Sequence, residues 1–335
     1  MTRVRRLAYV ALSVAFGHIV FGAIVRISGS GMGCGENWPR CYGRWFPPLS
    51  RPDLIIEVTH RYLAVALLVA IVALVVAAWH ERRNSAAGTP SEQRSVFRWS
   101  LAAVALWIAP ALLGAVTVFL GNPPAATVAH KALAATLLAV LAATAVRAGG
   151  FGAAGIPRGS VSASTMRGAT AAAGLAITAV LLGALTAKLP GAAAACAGFP
   201  LCGTGSTGGG GQHVQLAHRF IAYGLALHLL SLAFLVGRRR EPIPIINVAR
   251  VAAVLVLVQV VLAAVMVLGG FAPVVRSLHQ ATGMALWLST FLLAYLTRLG
   301  GSAPSPQAVP YSLVPIPYSL HLDTPALPPP PSAGS

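Results

Sequence analysis

The sequence predicts an all-α, polytopic membrane protein with eight transmembrane helices, arranged as two parallel-repeat four-helix bundles. Three observations carry this expectation. Of 335 residues, 56% are hydrophobic and only 9% are charged, whereas a soluble domain carries about 25% charged residues. Eight apolar runs are long enough to cross a bilayer as helices, near 7–26, 55–79, 100–120, 125–147, 168–188, 214–236, 248–269 and 276–298. Motifs in the first four runs return in the last four.

Run 1 is long, lacks a clean small-residue cleavage site and contains Tyr9 and His18, so it reads as a retained helix and not as a signal peptide. The arginines orient the rest. Arg3, Arg5 and Arg6 precede helix 1; Arg82, Arg83, Arg94 and Arg98 lie between helices 2 and 3. Arg147, Arg158 and Arg167 surround the 4–5 connection, Arg238, Arg239, Arg240 and Arg250 the 6–7 connection, and Arg298 ends helix 8. Fifteen of the 24 basic residues thus fall on one side. This positive-inside pattern puts both termini in the cytoplasm of a multi-pass membrane protein. It also accounts for the net charge of +17 without nucleic acid as a partner. Residues 301–335, rich in Pro, Ser and Ala, read as a disordered cytoplasmic tail.

Cys34 and Cys41 fall in the loop between helices 1 and 2, and Cys196 and Cys202 between helices 5 and 6. Both loops are predicted on the outer face, where disulfides persist. Two pairs of similar spacing predict two local bridges. Zinc is the alternative for cysteines near histidines, but the intervals are longer than in zinc knuckles.

The paired cysteines point to an internal duplication. "VTHRYLAVAL" (58–67) aligns with "LAHRFIAYGL" (216–225), and "AHKA" (129–132) aligns more weakly with "LHQA" (278–281). The chain divides into a half at 1–150, a cytoplasmic linker at 151–167 and a half at 168–300. An even number of helices per half gives the halves the same orientation. His60, His130, His218 and His279 then fall near the outer ends of helices 2, 4, 6 and 8, two per half. Imidazoles on facing helices suit the axial positions of a haem iron, or a copper or zinc site. Haem fits best, because the helices hold too few carboxylates or thiolates to complete another metal site. Arg61 and Arg219 follow the repeated histidines directly and are candidate partners for haem propionates, as are Arg26, Arg40, Lys131, Lys188 and Arg276. The bland reading of such cations is snorkelling to headgroups. His18, His80 and His228 are read as packing histidines, each bonding a neighbouring helix.

Glu57 lies three residues before His60 and shares its helical face. The repeat replaces it with Gln215, "EVTH" against "QLAH". A reaction needs a group that moves protons or stabilises charge, and electron transfer does not. The first half therefore reads as the reacting site and the second as a cofactor site. The bland reading makes Glu57 the partner of a basic neighbour.

These residues resemble the haem A synthase family over essentially 1–300. The resemblance rests on "GAIVRISGSGMGCGENWPRC" ending helix 1, on "EVTHR" in helix 2, on the single histidines of the even helices and on the second His-Arg in "QLAHRF". It implies an oxidoreductase that converts the ring methyl of haem O to a formyl group through a hydroxymethyl intermediate. His60 and His130 would hold haem O, the substrate, His218 and His279 would hold haem B, and Glu57 would serve the chemistry. Cys34–Cys41 would be a pair linked to activity and Cys196–Cys202 a second bridge. Implied partners are haem O synthase, cytochrome oxidase assembly factors and a second copy of the chain. The absence of a transit-like start points to the bacterial form and the cytoplasmic membrane. Two other readings stand beside it. A di-haem b-type electron carrier would use the same four histidines but would not need the Glu57–Gln215 difference. A parallel-repeat transporter would need broken helices and polar groups at the membrane midplane.

Overall fold

The computed structural model describes residues 2–84, 89–204, 206 and 209–301; of the predicted tail 301–335, Gly301 still belongs to the last helix and the rest lies outside the described residues. Eight α-helices follow one another: α1 (Thr2–Ile27), α2 (Pro52–Asn84), α3 (Pro90–Phe119), α4 (Pro124–Arg147), α5 (Ala163–Lys188), α6 (Gly209–Arg238), α7 (Ile243–Leu268) and α8 (Pro273–Gly301). No strand occurs among the described residues.

Local chemistry sets the helix starts. Proline opens α2, α3, α4 and α8, where its missing N–H costs nothing and its fixed φ suits the first turn. Thr89 caps α3 in a reciprocal capping box with Glu92, and the Ser162 side chain caps α5 at the Thr165 N–H. The α3–α4 and α7–α8 turns share one device. Gly121 and Asn122 take left-handed φ values of 66° and 58°, and Gly270 and Phe271 take 71° and 61°. A proline then restarts the helix in each case.

The helices outrun the apolar stretches that predict them. α3 begins at Pro90, ten residues before its apolar run, because the capped segment "PSEQRSVFR" is polar but helical. Seven helices are long and apolar enough to cross a membrane. The eighth, α8, has ample length at 29 residues but is more polar. Its Ser289, Thr290 and Thr297 are buried and return their hydroxyls to the carbonyls of Leu286, Trp287 and Ala294.

The distribution of side-chain size is that of a membrane protein. Val65, Val69, Val72 and Val76 of α2 and Val251, Val254, Val258, Val261 and Val265 of α7 are exposed. Steps of three and four put each set on one outward face, which only a lipid environment accommodates. Small residues line the inside. Ala8, Ala11 and Ala15 of α1 and Ala169, Ala172 and Ala176 of α5 are at most 1% exposed, so the helix backbones approach closely.

α1 packs on α2 and α4, and α3 packs on the same two. α5 packs on α6 and α8, and α7 packs on those two. Contacts of α1 with α8, and of α4 with α5 and α8, join the two sets. α4 therefore has neighbours on every side, and residues 137–146 are all buried. Across this seam Trp287 Nε1 donates to the Ala135 carbonyl at 3.1 Å and Arg147 Nε to the Tyr295 hydroxyl at 2.5 Å.

Candidate functional site

Two loops precede the helices that carry the His-Arg motifs. Cys34 is bonded to Cys41, with Cα atoms 5.0 Å apart, and Cys196 to Cys202, 4.7 Å apart. No free cysteine remains, so no thiolate is left for zinc. The first bridge is buried on Leu54 and Val58 of α2.

Arg61 and Arg219 hold these loops. Arg61 donates to the carbonyls of Pro39 at 2.8 Å and Arg40 at 3.4 Å. Arg219 donates to the carbonyls of Gly198, Pro200 and Cys196 at 2.9–3.2 Å. The two His-Arg motifs thus use their arginines alike, as clamps on the disulfide loops. Arg61 also lines the cavity described below.

Glu57 is 4% exposed and fully engaged. Its Oε1 accepts from Arg61 at 2.5 Å and its Oε2 accepts from the Cys34 N–H at 2.8 Å. One carboxylate therefore joins the loop, the clamp and the helix face of His60. Gln215, also buried, donates instead to the Ala193 carbonyl at 3.1 Å. The position supports the loop in both halves, but only the first half carries charge there.

His60 and His130 face into one cavity of about 600 Å³, in which Glu57 is the one carboxylate. Ala184, Lys188 and Gln280 bring the second half to the same wall. His60 lies within electrostatic reach of His130, and His279 of His218. Three of the four rings rest on a glycine of the preceding helix. A Cβ on Gly22 would meet His60 Cε1 at 2.9 Å, one on Gly183 would meet His218 Cε1 at 2.9 Å, and one on Gly114 would meet His130 Cε1 at 3.2 Å. The fourth ring, His279, meets Gln259 Nε2 at 3.2 Å.

The ring nitrogens bear on ligand binding. His218 Nδ1 lies 2.9 Å from the Ala179 carbonyl, a contact that fixes the tautomer and frees Nε2. Nδ1 of His60, His130 and His279 is sealed with no hydrogen-bond partner, which is uncommon for a buried polar atom. Among the described residues no cluster of three or more His, Cys, Asp or Glu side chains is arranged to hold a metal ion.

His18, read from the sequence as a packing histidine, packs against the ring of His60 on α2 and also lies at the candidate site. Its ring lies 4.2 Å from that of His60, centroid to centroid, lines the same cavity and has an orphan Nε2. The available signal was its position four residues before Gly22, on one helical face. In the other half Ala179 stands four residues before Gly183. His228 does pack, with Nε2 2.8 Å from the Gly168 carbonyl.

Comparison with known proteins follows the same outline. Residues 5–54 and 51–291 match the family described as cytochrome oxidase assembly protein, COX15-CtaA. The chain is similar to a protein named heme A synthase from Alkalihalophilus pseudofirmus, 32% identical over 218 residues, which covers 63% of this chain and 69% of that one. Another of that name from Bacillus pumilus is 35% identical over 31% of each chain. A third, from Geobacillus kaustophilus, is 46% identical over 18% of this chain and 19% of its own. With the match running through both disulfide loops and into all eight helices, this multi-pass membrane protein belongs to the cytochrome oxidase assembly protein family.

Proposed function

We propose that this chain is a haem A synthase, an oxidoreductase that takes the ring methyl of haem O through a hydroxymethyl to a formyl group. The observation that carries the reading is the cavity of the first half, whose wall holds His60 and His130 from two helices, His18 beside His60, and one carboxylate, Glu57. Haem supplies its own four equatorial nitrogens and asks the protein for two axial ligands. His60 on α2 and His130 on α4 suit that demand, with His18 of α1 packed against the His60 ring. In this reading His60 and His130 hold the haem O substrate, and His218 and His279 hold haem B.

Haem B, when bound, supplies a one-electron acceptor for the substrate site. The chain's own residues do the rest. Gly22, Gly114 and Gly183 let the rings approach the neighbouring helix, and the Ala179 carbonyl orients His218. In the first oxidation water would supply the hydroxyl oxygen (CH3 + H2O giving CH2OH, two electrons and two protons). The second would give the formyl group with loss of two further electrons and protons. The electrons would leave one at a time through haem B to an external acceptor, and Glu57, in the cavity wall, would take up a proton. Arg61 and the Cys34 N–H hold that carboxylate in place. All eight helices run unbroken, which does not favour the transporter reading.

The test is the haem content of protein purified from a host that makes haem O. Haem B together with haem O, its hydroxylated form or haem A is expected. Haem B alone, filling both halves, would instead favour the di-haem electron carrier. That reading would use the same four histidines, His60, His130, His218 and His279.

A further inference from the structure

Arg26 at the end of α1, Lys131 near the start of α4 and Lys188 at the end of α5 line the cavity of the first half. Arg26 lies within electrostatic reach of Lys131, of Lys188 and of Arg276 at the start of α8. The four come from the helices of the seam. All are half-buried. None is in an ion pair among the described residues, where the pairs near this end are Arg51–Asp53 and Arg61–Glu57. Lys131 makes one hydrogen bond, to Gln280 Oε1 at 2.9 Å, and Gln280 is its own counterpart in the repeat. That contact spans the two halves and positions the ammonium at the cavity wall.

Four cations held together without an anion repel one another and lose hydration, which is costly at membrane depth. Such a cluster is stable with a counter-charge in place. The chain has only seven acidic residues, and Glu57 is the one in this cavity, already paired. No side chain of the cavity supplies that counter-charge.

We propose that Arg26, Lys131, Lys188 and Arg276 form a carboxylate-binding site on the seam, which takes the two acidic side chains of the tetrapyrrole lodged in the first half. This rests on the haem reading above. It assigns Arg61 to loop clamping and moves anion binding to the seam. It also gives the substrate an orientation, with its acidic edge toward the second half. The same cations could instead serve lipid headgroup phosphates, and the experiment separates the two.

Purified protein in detergent is titrated with iron protoporphyrin, as the free diacid and as its dimethyl ester, and binding is read from the bis-imidazole absorbance. Wild type is expected to bind the diacid about tenfold or more tightly than the diester, since each charge-assisted bond is strong. The Arg26→Gln/Lys131→Gln variant, which removes half of the cluster's charge, is expected to bring the two within about twofold of each other. The Arg26→Lys/Lys131→Arg variant keeps the charges and should keep the preference, which guards against a mere folding defect. Equal binding of diacid and diester by wild type would overturn the site, as would an undiminished preference in the Gln variant. Loss of co-purifying anionic lipid from the Gln variant, with the diacid preference intact, would assign the cluster to headgroups and overturn it too. Binding of neither compound would overturn the haem reading itself.

Discussion

Glu57 concentrates the residue-scale question, because one carboxylate meets a guanidinium, a disulfide loop and a cavity. A purely structural role predicts that Glu57→Gln disturbs the loop and haem binding together. A chemical role predicts a different split. Glu57→Gln should lower conversion of haem O by about a hundredfold or more while the haem B content stays at the wild-type level, as measured by chromatography of extracted haem. Parallel loss of haem B would count for structure alone. The glycine seats make a second case. A Cβ on Gly22 or Gly183 would meet an imidazole carbon at 2.9 Å, well inside the ~3.5–4.0 Å of a comfortable carbon contact. Gly183→Ala should therefore dislodge His218 and remove roughly half of the bound haem, given that such sites tolerate about 0.5 Å of misplacement. Gly22→Ala should do the same to the substrate half. Haem-to-protein ratios of the two variants check both.

At the scale of elements, each half builds the same unit, a disulfide loop clamped by the arginine that follows a histidine. The clamp ties the outer loop to α2 or α6, next to the imidazole that faces inward. Replacing Arg219 by Leu strands the carbonyls of Cys196, Gly198 and Pro200. A stability loss of about 1–3 kcal/mol is expected, read as a lower unfolding temperature in detergent. The helices that carry the unit were legible because their apolar runs are long. Their ends were not legible, because α3 and α6 extend into polar or Gly-rich segments that are helical through caps and packing. The amphipathic α8 was legible as a helix, although its inward hydroxyls leave it less apolar than its neighbours.

At the scale of the whole molecule, the charged ends give a topology that a fusion can test. A reporter active only in the cytoplasm should be active when joined after residue 301, and inactive when placed in either disulfide loop. The duplication sets a second global feature. Titratable groups gather in the first half, where His18, Glu57 and Lys131 stand opposite Ala179, Gln215 and Gln280 in the second. Sequence alone carried the helix count, the cysteine pairing and the placement of the repeated motifs and of four histidines on the even helices, because each depends on local composition or on spacing along the chain. The placement of His18 against His60, the glycine seats, the commitment of Arg61 and Arg219 to the loops and the cation cluster on the seam depend on which helix faces lie together. Side chains distant in sequence meet only once eight helices have packed, and the small alanines of α1 and α5 decide how closely they do so.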